Sequence, residues 1–158
     1  MDYDKIAKGY DELYKEEQLA KLSIIKSNIN VSKNKKLLDV GCGTGISSQF
    51  GCFTVGIDPS IELLSQNKNR NKLLGFAEQL PFKDSSFDYV ISITALHNFK
   101  NIKKAIGEIS RVGKEFFVFS VLKKSRKFSY IQIIIGKSFK INSIHEESKD
   151  VIFFCQKP

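Results

Sequence analysis

The sequence predicts an α/β fold: a doubly wound, mostly parallel sheet of seven strands with an antiparallel pair at one edge. Three observations lead there. Helical and strand periods alternate along the chain, which favours a parallel sheet covered by helices over an all-α or all-β fold. The first strand run ends in a glycine-rich turn that leads into a helix. The last two strand runs lie close enough in sequence to pair antiparallel at a sheet edge.

The elements follow in order. An opening segment to about Ile29 sets Leu19, Leu22, Ile25 and Ile29 on one helical face, and Ser32 to Lys36 is a polar connector. Lys36-Leu-Leu-Asp-Val40 reads as a short buried strand that ends in Gly41-Cys-Gly-Thr-Gly45, and Ile46 to Phe50 has room for little more than one helical turn. Phe53 to Ile57 reads as a second strand, with Pro59 placed to open a helix at its first position that runs from Ser60 to about Asn69. Leu73 to Ala77 is a weak third strand, Leu80 to Ser86 a loop and Phe87 to Thr94 a fourth strand. Ile102 to Val112 then reads as a helix, Phe116 to Leu122 as a fifth strand and Tyr130 to Ile135 as a helical stretch. Ser138 to Ile144 and Asp150 to Gln156 supply the closing strand pair.

Composition bounds the rest. The chain has 158 residues, 42% of them apolar and 27% charged, enough for one domain with a single sizeable core. The apolar runs are far shorter than a membrane span, and Met1 to Tyr10 lacks the apolar stretch of a signal peptide, so a cytosolic protein is expected. Cys42, Cys52 and Cys155 have no metal-ligand spacing and His97 and His145 lie far apart, so neither a metal site nor a disulfide framework is expected. The net charge of +8 is localised: residues 100–140 hold eleven Lys and Arg against Glu108 and Glu115.

The chemistry concentrates in Leu38-Asp-Val-Gly-Cys-Gly-Thr-Gly45. Alternate glycines let the backbone turn and let a ligand approach closely. The GxGxG spacing differs from the dinucleotide fingerprint, and Asp39 two residues before Gly41 would repel a pyrophosphate while attracting a ligand with an ammonium group. Asp58, at the predicted end of the second strand, suits both hydroxyls of a ribose. The expected ligand is a nucleoside with a cationic tail.

S-adenosylmethionine fits that description, and the sequence resembles the class I methyltransferases that use it, in particular the type 11 group with the quinone-biosynthesis C-methyltransferases. Four motifs carry the resemblance: Asp39 with Gly41, Gly43 and Gly45; Gly56-Ile-Asp58-Pro-Ser60; Ala77-Glu-Gln-Leu-Pro-Phe82; and Ser86-Phe-Asp-Tyr-Val-Ile-Ser-Ile-Thr-Ala-Leu-His97. It implies a minimal Rossmann-like methyltransferase domain over residues 1–158, with a helical lid over 1–30, a donor-binding core over 36–122, and a helix and strand pair over 123–158. It further implies donor contacts from Asp39, Gly41, Cys42, Gly43, Gly45, Asp58, Pro59, Ala77, Glu78 and Thr94. His97 and Asn98, after the fourth strand, are the candidates on the acceptor side. Tyr10 and Tyr14 resemble the family's lid, although aromatic residues four apart more often pack. Phe76 stands where many relatives have the Asp that meets the adenine amino group, so that contact comes from Glu78, from backbone, or is lost, and Phe76 offers a ring to stack instead. Asp88 reads as structural, at the strand end away from the ligand edge.

The acceptor is expected to be a small molecule under the N-terminal helix. Lys123, Lys124, Arg126 and Lys127 follow the fifth strand at the lip of the site, where they would suit an anionic acceptor or tRNA, and the segment to His97 is somewhat similar to the tRNA wobble-uridine methyltransferases. A third expectation is an S-adenosylmethionine-binding subunit that supports a partner without catalysis.

Overall fold

The computed structural model describes the backbone of residues 3–158 and the side chains of residues 15–158. Tyr10 and Tyr14 lie outside the residues whose side chains are described. Seven strands form one sheet: β1 (Lys36–Val40), β2 (Phe53–Asp58), β3 (Lys72–Leu74), β4 (Phe87–Ile93), β5 (Gly113–Leu122), β6 (Lys140–Glu146) and β7 (Asp150–Gln156). Their order is β3-β2-β1-β4-β5-β7-β6. The first five run parallel, and β7 lies antiparallel to both β5 and β6. From β1 the chain crosses leftward to β2, and from β4 it crosses rightward to β5. Right-handed crossovers therefore place the two connections on opposite faces, and a crevice opens beyond the carboxyl ends of β1 and β4.

The two faces are covered unequally. On one, α3 (Ile102–Val112) and α4 (Phe128–Ser138) pack together over Leu38, Val40, Val90, Phe117, Phe119 and Phe153. On the other, α1 (Tyr3–Asn28) packs against a 3-10 turn (Ile46–Ser48) and α2 (Ile61–Ser65), above Leu37, Ile91, Ile93 and Val118. The buried face of α1 is shifted from the expected one. Gln18, Lys21, Leu22 and Ile25 are buried, whereas Leu19 is 38% exposed. Two polar residues turn inward because this part of the helix crosses the end of the sheet, where polar partners wait.

Several boundaries differ from expectation. Pro59 does not open α2, because its two neighbours organise the helix start. Ser60 is the N-cap, accepting from the Leu63 N–H, and Asp58 accepts the Ser60 N–H. That helix stops at Ser65, about a turn before Asn69, since the Asn67 side chain reaches back to the glycine turn. β4 ends at Ile93, because Thr94 adopts φ +52, a left-handed conformation that no strand continues through. No described helix is long and apolar enough to cross a membrane.

Candidate functional site

The turn after β1 is built for close approach. Gly41, Gly43 and Gly45 have φ of +80, +52 and +88, and a Cβ on Gly41 would sit 2.5 Å from the Ala95 Cβ. A side chain at either end of this turn is therefore excluded by sterics as well as by backbone strain, since a Cβ on Gly45 would meet the Asn67 amide at the same distance. The backbone N–H groups of Gly41 and Cys42 both donate to the Ile57 carbonyl, at 2.8 and 3.1 Å, and fasten the turn to the end of β2. Cys42 packs beneath Gly56, where any Cβ would lie 2.6 Å from its sulfur. It contributes shape to the turn, and its buried thiol is held well above the ordinary range by desolvation.

Two carboxylates flank the turn. Asp58 accepts from Gly43 N–H and from Ser60 N–H, each at 2.9 Å, which leaves one lone-pair direction free on each oxygen for a diol. Burial raises its pKa, and those two N–H bonds oppose the rise. Asp39 is fully buried. Its Oδ2 accepts the hydroxyls of Ser47 at 2.7 Å and Ser48 at 2.6 Å, while its Oδ1 has no partner among the described residues. Desolvation raises the Asp39 carboxyl to about 6 despite the two serines. A buried carboxylate oxygen left without a donor is costly, and it marks the place where a ligand N–H would fit. Beside it lies a small hollow lined by Gln18, Gly41, Thr44, Ser47 and Ile93.

A shallow cleft of about 80 Å³ opens on the other side of Gly41, between Ile57, Pro59, Phe76, Ala77, Glu78 and Asn98. The segment 75–82 that forms its wall contains no helix or strand of its own. Instead Glu108 on α3 accepts the Leu80 N–H at 2.8 Å, and Arg111 donates to the carbonyls of Leu80 and Phe82, at 3.0 and 2.8 Å. Phe76 is 55% exposed along the cleft, with the Lys100 ammonium 6.0 Å from its ring centre. Glu78 accepts the Asn101 N–H with one oxygen at 3.2 Å.

The structure thus brings Asp39, Gly41, Cys42, Gly43, Gly45, Asp58, Pro59, Ala77 and Glu78 around one bend and one cleft. Thr94 stands apart from these: its hydroxyl donates to Asp150 at 2.7 Å, accepts from Lys21 at 2.9 Å and lies 3.0 Å from the Ser120 hydroxyl, in a buried polar cluster. Asn98 and His97 face different ways. They share the 3-10 turn Leu96–Asn98, where successive side chains point 120° apart, so Asn98 lines the cleft while His97 turns its Nδ1 into the protein. Asp88 is structural as expected, receiving the Lys36 N–H at 2.9 Å. Sequence reasoning missed Ser47, Ser48, Asn67, Glu108 and Arg111. Only the last two, an acid and a base three apart on a helix, left a readable signal.

Comparisons with known proteins agree with this geometry. A family model described as a methyltransferase domain matches residues 38–116. An uncharacterized protein of Methanocaldococcus jannaschii is 32% identical over 94% of this chain and 70% of its own length. The malonyl-[acyl-carrier protein] O-methyltransferase of Buchnera aphidicola is 32% identical over 93% of this chain and 62% of its own. A demethylmenaquinone methyltransferase of Staphylococcus aureus is 30% identical over 87% and 69%. The chain thus spans about two thirds of the length of these relatives. Among solved structures, an S-adenosylmethionine-dependent methyltransferase from Aquifex aeolicus superposes over both whole chains with a TM-score of 0.82 at 15% identity. A methyltransferase solved in complex with the Haloferax volcanii Trm112 activator superposes over 99% of this chain and 98% of its own with a TM-score of 0.83, also at 15% identity. Sequence match, strand order and glycine bend together make this chain a member of the type 11 methyltransferase-domain family, whose cofactor is S-adenosylmethionine.

Proposed function

We propose that this chain transfers the methyl group of S-adenosylmethionine to a small-molecule acceptor that enters beside His97, beneath α1. The observation that carries the reading is the pair of carboxylates on either side of the Gly41–Gly45 bend. Asp58 keeps a free lone-pair direction on each oxygen for a ribose diol, Asp39 Oδ1 lacks a donor for which an ammonium would serve, and Phe76, Ala77 and Glu78 wall an open cleft against which a base could stack. The cofactor supplies a methyl on a sulfonium, an excellent leaving group, so alignment does most of the catalysis. Glycine backbone and Pro59 shape the cleft, Asp58 and Asp39 fix the two ends of the cofactor, and His97 stands on the acceptor side.

A small acceptor is favoured because α1 crosses the carboxyl end of the sheet and buries Gln18 and Lys21 there. The relatives named above include a malonyl-[acyl-carrier protein] O-methyltransferase and a demethylmenaquinone methyltransferase, and neither name points to a nucleic-acid acceptor. Calorimetry tests the donor half: S-adenosylhomocysteine should bind, and Asp58→Ala should weaken it by about 10- to 150-fold, the loss of about 1.5–3 kcal/mol from one charge-assisted contact. Unchanged affinity would remove Asp58 from the site. Tritium transfer from labelled donor into fractionated extract tests the acceptor half, with label in small metabolites as the expected result. Donor binding without transfer into any fraction would favour the non-catalytic subunit instead.

One observation favours RNA as a second reading. At the lip of the site Lys123 pairs with Glu146 at 2.7 Å and Lys127 donates to the His97 carbonyl at 3.1 Å. Lys124 and Arg126 have no partner among the described residues, and the exposed ring of Tyr130 lies beside Lys100 and Arg126 along an open groove. Cations interleaved with an aromatic ring suit single-stranded nucleic acid. RNA affinity that falls steeply with salt, and falls again when Lys124 and Arg126 are neutralised, is the expected signature of that reading.

A further inference from the structure

Three buried side-chain polar atoms lack a partner among the described residues: Asp39 Oδ1, His97 Nδ1 and Asp150 Oδ1. The first lies at the donor bend; the other two are linked through Thr94, which bonds Asp150 and precedes His97 by three residues. Asp150, fully buried at the start of β7, uses only its Oδ2: Thr94 donates to that oxygen at 2.7 Å, and the Lys21 ammonium lies 3.2 Å away. Lys21 is itself 2% exposed and also donates to Thr94, at 2.9 Å, and Thr94 is held from β5 by Ser120. His97 follows Thr94 by three residues, in the turn that leaves β4. Its ring is half-buried, with Nδ1 enclosed, while Nε2 is absent from the buried orphans and bonds nothing among the described residues.

We propose that Asp150 is the positioning residue for His97, accepting the imidazole Nδ1–H on its free Oδ1, directly or through one water. This rests on the reading of His97 as the acceptor-side base. One bond satisfies two atoms whose isolation is otherwise costly. It fixes the neutral tautomer that leaves the Nε2 lone pair bare toward the acceptor. Lys21 matters because it neutralises Asp150. A lone carboxylate would hold the imidazole protonated, whereas the pair directs the proton without keeping the ring charged. The charged groups around His97 are Asp150 from β7, Lys21 from α1 and Lys127 at the start of α4; burial, reinforced by the two ammonium groups, outweighs Asp150 and lowers the imidazole pKa below its ordinary value. At neutral pH the ring is a free base. In the transfer step the acceptor's electron pair forms the new bond to the methyl carbon, the carbon–sulfur bond breaks with its pair retained by sulfur, and the acceptor's proton passes to Nε2. The resulting imidazolium, facing Asp150 through Nδ1, loses its proton to water.

Nitrogen-15 NMR of the His97 ring in the full chain, with His145 as an exposed reference, reads this without turnover. The expected result near pH 7.5 is a neutral ring protonated at Nδ1. Removing the pair together, Lys21→Met with Asp150→Leu, should shift the proton toward Nε2 and lower kcat at least tenfold, with KM and S-adenosylhomocysteine affinity retained. Lys21→Met alone should raise the proton affinity of His97 by about tenfold, one pH unit. A wild-type ring protonated at Nε2, or a double variant with unchanged tautomer and rate, would overturn the proposal. Because the tautomer needs no cofactor, loss of donor binding would instead count against the functional reading on which it rests.

Discussion

The two faces of the sheet solve the same problem with different materials. Behind β4 and β5, two eleven-residue helices bury Ala105, Ile106, Ile109, Ile131 and Ile135 against a phenylalanine-rich core. Over β1 and β2, the cover that accompanies α1 is a three-residue 3-10 turn and a five-residue helix. There the glycine bend is held by side-chain hydrogen bonds: Ser47 and Ser48 to Asp39, Asp58 to Gly43, and Asn67 to the Gly43 carbonyl at 3.1 Å. Apolar packing is indifferent to pH and to cofactor, whereas a polar lattice around two buried carboxylates responds to both. The face that binds is the face that is easily adjusted.

That contrast can be broken by mutation. Phe119→Ala, in the thick face, should cost about 3–5 kcal/mol by denaturant titration while leaving cofactor affinity in the surviving fold unchanged. Asn67→Ala should cost less, about 1–3 kcal/mol, by stranding the Gly43 carbonyl, yet should weaken S-adenosylhomocysteine binding because the bend loosens. Equal effects of both variants on binding would show that the two faces are not separable.

A third prediction concerns pH. The Asp39 carboxyl rises from 3.8 to about 6 on folding, so between those values the folded protein holds the proton more tightly than the unfolded chain. Stability from this group is therefore fully present below about pH 4 and lost as pH rises through about 6, an effect on the order of 3 kcal/mol. Asp39→Asn should remove that component from the stability profile. In wild type, affinity for the cationic cofactor should fall on acidification below about pH 6, as the carboxylate takes up its proton. The smallest effect is expected from Ser47→Ala, which deletes one of two hydroxyls on the carboxylate: about 1 kcal/mol of stability and a further rise of the Asp39 carboxyl.

The same contrast explains what the sequence discloses. Strand runs such as Lys36–Val40 and the apolar period of Ile102–Val112 are local signals, and the structure reproduces both bounds. The glycine bend and its two carboxylates are equally local, since their chemistry lies in spacing. The directions of the Thr94 and Asn98 side chains are not legible, because a positive φ and a 3-10 turn rotate neighbouring side chains in ways that residue type does not reveal. Lys21 and Asp150 are illegible for another reason. They lie 129 residues apart, each resembles a surface charge, and only the approach of α1 to the start of β7 makes them a buried pair.

A crystal structure grown with S-adenosylhomocysteine tests the central claim most directly. The account predicts the ribose hydroxyls on Asp58, the adenine between Phe76 and Ala77, and the amino group within hydrogen-bond reach of Asp39 Oδ1. Electron density for the nucleoside elsewhere, with Asp39 Oδ1 still unpaired and the cleft beside Gly41 vacant, would contradict it.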